Sequence, residues 1–378
     1  MTPRRLLLVG AGRAHLHVLR ELARRPIADV EIVVVASQPY HHRVMLAGYL
    51  EGRYDADALR IPLASLAARA HARVIEADAE RADVAQGVVV ANGESLPFDV
   101  CSFDVECESG ASDIPGMREH ALSLHPAANI TRLRARVDEL FATGGPAAIV
   151  VVGGGTEGVE TALALRHRML TSKTQGSVTL VEGRAEVLPE HEPPMRALAF
   201  QVLRQREVSV ALGGRVTAVA ASGVTLDNGA TIPADLVVWA ANRSAPSLFR
   251  RSGLPTDARG RLTVDRTLRA ADGSAVFGAG DCVSVKDLPD LRLAGSNATR
   301  MARTLERSLR SALGKGRAGK FRPRRTSFTL LDAGGGKALL RWRGTHRHSR
   351  WAGRLKTMID RRFMRRNRAS DEKSRSRS

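Results

Sequence analysis

The 378 residues carry 58 Lys and Arg against 39 Asp and Glu, yet residues 301–378 alone hold 24 basic and 5 acidic side chains, leaving the first 300 with 34 of each sign. A neutral body with a cationic appendage argues against a uniformly basic nucleic-acid binder, and 43% hydrophobic residues exclude a wholly disordered chain. Cys101, Cys107 and Cys282 form no CxxC pair or metal spacing, which fits a reducing compartment. With no signal peptide and no run of the roughly 20 apolar residues a spanning helix needs, the chain is expected to be cytoplasmic.

In chain order, residues 6–9 read as a strand, Gly10-Ala11-Gly12 as a tight turn, and 13–25 as a helix with Leu16, Leu19, Leu22 and Ala23 on one face. A strand at 30–35 completes a βαβ start. Segments 72–77, 88–91 and 99–105 read as a β-meander inserted in this unit. The same syntax returns with a strand at 149–152, the turn Gly153-Gly154-Gly155-Thr156-Glu157-Gly158, a helix through Arg166 and a strand at 178–181. A helix at 194–205 begins with Pro in its first turn, and strands at 210–219, 224–226 and 236–240 complete the second unit. Residues 275–277 then run as a strand into Gly278-Ala279-Gly280-Asp281, followed by a helix over about 296–313. Beyond a Gly/Lys/Arg linker at 314–325, segments 328–331 and 337–342 pair as a hairpin, 350–366 forms a basic amphipathic helix, and the last twelve residues are expected to be disordered. The prediction is an α/β chain of two Rossmann-like three-layer domains, the second inserted in the first, plus a basic α/β tail. The segments are 1–124 and 273–315 for the first domain, 125–272 for the second and 316–378 for the tail.

The second glycine motif is complete. Gly153 serves a tight turn, Gly155 lets a pyrophosphate approach the backbone, and Gly158 allows close helix–strand packing, with the phosphate on the helix N-terminus. Glu182, 24 residues past Gly158, ends the next strand, where a carboxylate accepts both ribose hydroxyls. This favours NADH, although Arg184 leaves NADPH open. The first motif is less regular: Gly10 and Gly12 are in place, but His15 holds the third position and Ala36-Ser37 replaces the acid, so alone it leaves nucleotide binding open.

Two such units followed by a strand ending Gly280-Asp281 resemble the flavoproteins with two dinucleotide-binding domains. Within them, Gly153–Glu160 (GGGTEGVE), 178–182 (VTLVE), 234–240 (ADLVVWA) and 277–282 (FGAGDC) are similar to type II NADH dehydrogenases. The segment 45–52 and the tail 351–364 resemble more specifically the NADH-dehydrogenase-like flavoprotein domain associated with selenophosphate synthase. The resemblance implies FAD on Gly10, Gly12 and His15, with Asp281 on its ribitol, and NADH on Gly153, Gly155, Gly158 and Glu182. It implies hydride transfer from NADH to the flavin and electron transfer to a quinone or similar acceptor. Glu160 stands where the family has a Glu near nicotinamide and flavin. Gly295-Ser296-Asn297 opens the helix whose dipole would stabilise the reduced ring.

This chain also departs from the family. Ala240-Ala241-Asn242 replaces Ala-Thr-Gly, Glu106-Cys107 replaces a small pair, and the matching helix offers Asn297, Arg300 and Met301 in place of the quinone-pocket Gln residues. A second class therefore stays open: a catalytically degenerate flavin- or nucleotide-binding protein that docks a membrane or partner. The cysteines lack the full persulfide-carrying set of sulfide:quinone oxidoreductases. His15-x-His17 and His41-His42 diverge too much for a metal site, leaving His15 beside the cofactor phosphates and the others solvated.

In the tail, Trp351, Leu355, Met358, Ile359 and Phe363 form one helical stripe flanked by Arg354, Lys356, Arg361, Arg362, Arg365 and Arg366. Such a helix suits an anionic headgroup layer, placing the protein peripherally on the inner face of the cell membrane. The competing reading packs the stripe on the protein's own core or in a homodimer. Nucleic acid would need interleaved aromatics that the tail lacks.

Overall fold

In this computed structural model the structure is described for residues 2–37, 39–110, 113–241, 243–288, 291, 296–323 and 328–368. The first unit comprises β1 (Arg4–Val9), α1 (Arg13–Arg24), β2 (Val30–Val35), β3 (Ala72–Ile75) and β4 (Val100–Phe103). The second comprises β5 (Ala121–Ser123), β6 (Ala147–Val152), α2 (Thr156–Thr171), β7 (Gly176–Glu182), β8 (Val208–Leu212) and β9 (Leu236–Trp239). The chain then returns through β10 (Val276–Gly278) and α3 (Ser296–Ala312), and closes with β11 (Phe328–Asp332), β12 (Ala338–Trp342), β13 (Thr345–Ser349) and α4 (Arg350–Arg368).

Both main sheets are parallel, in the orders β10-β4-β1-β2-β3 and β5-β9-β6-β7-β8. Leu7 lies between Val33 and Cys101 in the first, Val151 between Leu180 and Val238 in the second. The central strands are unbroken apolar runs, as burial on both faces requires, and Leu8, Val34, Val151 and Val238 are wholly enclosed. Because β10 lies beside β4, the chain leaves the first sheet, builds the second and comes back. Both glycine turns consequently follow the C-terminal ends of inner strands, where such sheets bind ligands.

The expected meander is shifted. Residues 72–77 and 99–105 supply β3 and β4 of the parallel sheet, and the meander is Ala79–Asp83, Val88–Ala91 and Glu94–Pro97. Its second turn is Asn92-Gly93, both at positive φ (48° and 76°), the backbone of a two-residue hairpin. The single strand expected over 210–219 divides at Gly213-Gly214 into β8 and Val216–Ala220.

The hairpin of the tail gains a third strand, β13, whose Thr-His-Arg-His-Ser sequence carries no apolar alternation. The linker is tethered by Phe321, which is fully buried and donates its N–H to Arg266 O at 2.6 Å. On α4 the buried line is Ala352, Lys356, Asp360, Met364 and Asn367, while Trp351 and Met358 are each 57% exposed and Ile359 41%. The apolar stripe read from sequence therefore faces outward at these three residues. Leu355 is half-buried, and Phe363 turns in, stacking on His42 at 4.4 Å beneath the Arg13 guanidinium. No helix of the described residues is long and apolar enough to cross a membrane.

Candidate active site

The turn between β6 and α2 is held by glycine for two separate reasons. Gly153 has φ +110°, and a Cβ on Gly158 would lie 1.7 Å from Gly153 O, so the helix seats directly on the turn. Gly155 precedes α2 without a capping side chain, and the Thr156 N–H donates to the exposed Glu190 at 3.0 Å. Glu182 is clamped at the end of β7: Oε2 accepts the Gly154 N–H at 2.7 Å and Oε1 the Arg184 N–H at 2.9 Å. The carboxylate is thus oriented before any ribose arrives.

The first turn differs. Gly10 has φ +93° and donates to Val35 O, while Gly12 donates to Asp104 O. Asp104, just past β4, is 4% exposed, and its Oδ2 accepts the N–H groups of Ala14 and His15 at 2.6 and 3.0 Å. A Cβ at Gly12 would fall 2.1 Å from Asp104 Oδ1, and one at Gly280 2.4 Å from it. Burial pushes the Asp104 carboxyl up to about 7 against those two hydrogen bonds.

His15 is completely buried. Its Nδ1 lies 2.7 Å from Gly10 O, which can only accept, so Nδ1 carries the proton and Nε2 accepts from Ser102 Oγ at 2.9 Å. Burial lowers its pKa to about 4, only partly opposed by the Gly10 bond, and the ring is neutral. It braces the turn from below, with both nitrogens engaged by the protein.

Between the two turns lies a charged cluster. Arg43 pairs with Glu157 at 2.8 Å, and His125 Nε2 lies 2.9 Å from the same carboxylate. Burial opposes ionisation of Glu157, but Arg43 and His125 prevail and hold it well below the usual carboxylate range. Arg243 pairs with Asp281 at 2.8 Å. One turn into α2, Glu160 Oε1 accepts the Asp332 N–H at 2.6 Å. Burial raises the Glu160 carboxyl to about 8, with the Lys356 charge opposing.

Lys356 itself reaches from α4 to Val44 O at 2.6 Å and Asp360 Oδ2 at 2.9 Å. His42 Nε2 stands 3.7 Å from the other oxygen of Asp360. Arg53 holds Asp332 at 2.8 Å, and Glu51 accepts the Gly335 N–H. The tail is therefore wired into the neighbourhood of Glu160. On its outer side Arg350, Arg354, Arg361 and Arg365, with Met358, line a groove of about 640 Å³.

Residues 4–304 match the family model for pyridine nucleotide-disulphide oxidoreductases. The chain belongs to this family. An NADH dehydrogenase-like protein of Mycobacterium tuberculosis is 29% identical over 299 residues, covering 75% of this chain and 73% of that one. The type II NADH:quinone oxidoreductase of Staphylococcus saprophyticus is 24% identical, covering 74% of each. NDH2 from Plasmodium falciparum in complex with NADH superposes with TM-score 0.82 at 11% identity over 98% of both chains. The sulfide:quinone oxidoreductase of Aquifex aeolicus does so with TM-score 0.82 at 18%, covering 97% of this chain and 92% of that one.

Like other members of the pyridine nucleotide-disulphide oxidoreductase family, the chain is an FAD-dependent NAD(P)H oxidoreductase. The donor sets fit both groups. Two helix N-termini follow glycine turns that exclude a Cβ, Glu182 ends β7, and Asp281 lies in the turn after β10, while the first unit has Ala36-Ser37 where the second has its acid. No disulfide is present among the described residues, and burial raises the Cys101, Cys107 and Cys282 thiols.

Of the residues singled out from sequence, Gly153, Gly155, Gly158 and Glu182 meet at one turn, and Gly10, Gly12, His15 and the Gly280-Asp281 turn at the other. Asn297 is buried at the start of α3, which contacts the Gly280 turn through Met301 Sδ at 3.3 Å. The first described residue of α3 is Ser296, while Gly295 and Asn242 lie outside the described residues. Glu106 accepts the Ala127 N–H. His41 and His42, expected to be solvated, are buried, and the tail covers His42 through Asp360 and Phe363. Sequence reasoning missed Asp104, Arg43, His125, Glu157 and the Lys356–Asp360 pair. An acid directly after the apolar strand, and a Lys and Asp four apart on one helix, were the available signals.

Proposed function

We propose that this oxidoreductase passes electrons from NADH to a quinone at an anionic membrane face. The observation that carries the reading is that α2 bears both the NADH-type glycine turn and, one turn along, the half-buried Glu160, which accepts the Asp332 N–H of the tail. Bound FAD would supply a two-electron relay, for the overall reaction in which NADH, H⁺ and quinone give NAD⁺ and hydroquinone. Gly153, Gly155 and Gly158 let the nicotinamide nucleotide's pyrophosphate meet the α2 N–H groups, and Glu182 takes the adenosine ribose. Gly10, Gly12 and the α1 N-terminus would hold the flavin pyrophosphate, Asp281 its ribitol, and the sequence segment Gly295-Ser296-Asn297 the pyrimidine side. Glu160, with its carboxyl raised to about 8, would keep a proton at neutral pH, which suits a donor to reduced quinone.

The relatives' names support the acceptor: type II NADH:quinone oxidoreductase, and a demethylphylloquinone reductase of Synechocystis, 27% identical over 198 residues. The outward Trp351, Met358 and Ile359 beside a four-arginine groove support a headgroup-layer site for α4. We assign residues 1–124 and 273–315 to FAD, 125–272 to NADH and 316–378 to the membrane. Within the family, segments 45–52 and 351–364 support placement with the flavoprotein domain associated with selenophosphate synthase. The test is an absorbance spectrum of the purified full chain under anaerobic NADH. Flavin bands that bleach and return when a quinone is added are expected; bands that are absent or unbleached overturn the reading.

A further inference from the structure

The N–H groups at the start of α1 that a flavin pyrophosphate would use are already engaged by a carboxylate of the same chain. Asp104 Oδ2 takes those of Ala14 and His15, while Oδ1 occupies the space left open by the missing side chains of Gly12 and Gly280. This oxygen sits where the two halves of the first nucleotide site meet, since Gly12 belongs to the β1–α1 turn and Gly280 to the turn after β10. Gly10 and Gly280 adopt positive φ, +93° and +80°, which glycine reaches without strain and which lets both turns approach Asp104 closely.

We propose that Asp104 is an internal competitor for the phosphate seat, so that FAD enters this chain with uptake of a proton by the Asp104 carboxyl. The inference rests on the reading of the first unit as the FAD site and concerns how that site is loaded.

Two anionic phosphates cannot approach a buried carboxylate without large repulsion, whereas a neutral carboxyl removes that repulsion and offers an O–H to a phosphate oxygen. The surroundings favour the neutral form. The negative groups acting on Asp104 are Asp281, from the turn after β10, and Glu106, from its own segment. His15, which binds it from α1, is neutral. Tyr40 and Cys282 face it as protonated groups. Arg13 on α1 is turned onto the Phe363 ring and Arg243 is paired with Asp281. With the carboxyl titrating near 7 in the free protein, flavin-linked protonation falls in the physiological range.

The experiment is FAD binding to the full-length apoprotein, followed by quenching of flavin fluorescence from pH 6 to 9, in the parent and in Asp104→Asn. The Asn side chain keeps an oxygen for the two N–H groups but carries no charge. The parent Kd is expected to rise about tenfold per pH unit above about 7.5, and that of Asp104→Asn to change by less than about threefold over the range. Melting of the apoproteins gives a second readout without flavin: the variant should gain on the parent as pH rises from 6 to 9. Asp104→Ser serves if the Asn protein does not fold. Equal pH slopes in parent and variant overturn the proposal alone. FAD bound by neither protein at any pH overturns the FAD assignment with it.

Discussion

The backbone N–H of Asp332, in the tail, donates to Glu160 Oε1 on α2 at 2.6 Å, so a strand outside both dinucleotide units orients the acid closest to the proposed chemistry. Burial raises Glu160 to about 8. Glu160→Gln should therefore lower the rate of quinone reduction by about 100-fold while NADH binding changes little. The parent rate should fall above about pH 8 as the acid ionises, and the variant should lose that limb. Steady-state rates between pH 6 and 9.5 decide it.

The same shift makes a stability prediction. A carboxyl whose folded pKa lies above its unfolded value is disfavoured when ionised in the fold, so its penalty grows as pH rises from the unfolded value and is complete above about 8. Glu160→Gln should melt a few degrees above the parent at pH 9, with a smaller difference at pH 5. Calorimetric scans at both pH values test the sign.

Lys356 and Asp360 are both buried, and His42 supplies the remaining contact. Burial opposes the ionised form of Asp360, but His42 and Lys356 outweigh it and lower the pKa. Lys356→Met would leave that carboxylate without its ammonium, at a cost of about 3–5 kcal/mol in urea unfolding. Lys356→Met with Asp360→Leu should recover most of it.

Glu182 is held by two backbone N–H groups and cannot easily swing away from a 2′-phosphate. Glu182→Ser should improve NADPH relative to NADH by about tenfold or more in kcat/KM, drawing on Arg184 nearby. An unchanged ratio would mean that the ribose does not reach this residue.

Replacing the outward Trp351, Met358 and Ile359 together by Ser should reduce binding to vesicles with anionic headgroups by at least about tenfold. Reduction of a water-soluble quinone should persist. Co-sedimentation and rate assays on the same preparation separate the two effects.

Fold and second site were legible because their signals are local. Apolar runs, glycine turns and Glu182 at the next strand's end lie on contiguous sequence, and the structure assembles them as the spacing implies. The meander was misplaced because β3 and β4, as short apolar runs, do not reveal from periodicity alone that they lie in a parallel sheet. The polar β13 was invisible because its pairing, not its composition, makes it a strand. Asp104 and the Arg43–His125–Glu157 cluster depend on contacts across 30 to more than 110 positions of the chain, which no window of sequence contains. The tail's stripe was visible, but the buried polar line on its other side was not, because Lys356 and Asp360 read as ordinary solvated charges.

Gly353 meets the carbonyl of Gly336 so closely that a Cβ would lie 2.0 Å from it, which fixes α4 against the hairpin at one point. A single stiff rod thus carries exposed apolar groups on one side and Lys356, whose charge acts on Glu160, on the other. Such a segment cannot be exchanged as an independent cassette. Any force on its outer face would be felt as torque at the hairpin contact, and trimming the helix to obtain a more soluble enzyme would remove the Lys356 charge that acts on Glu160 along with that face.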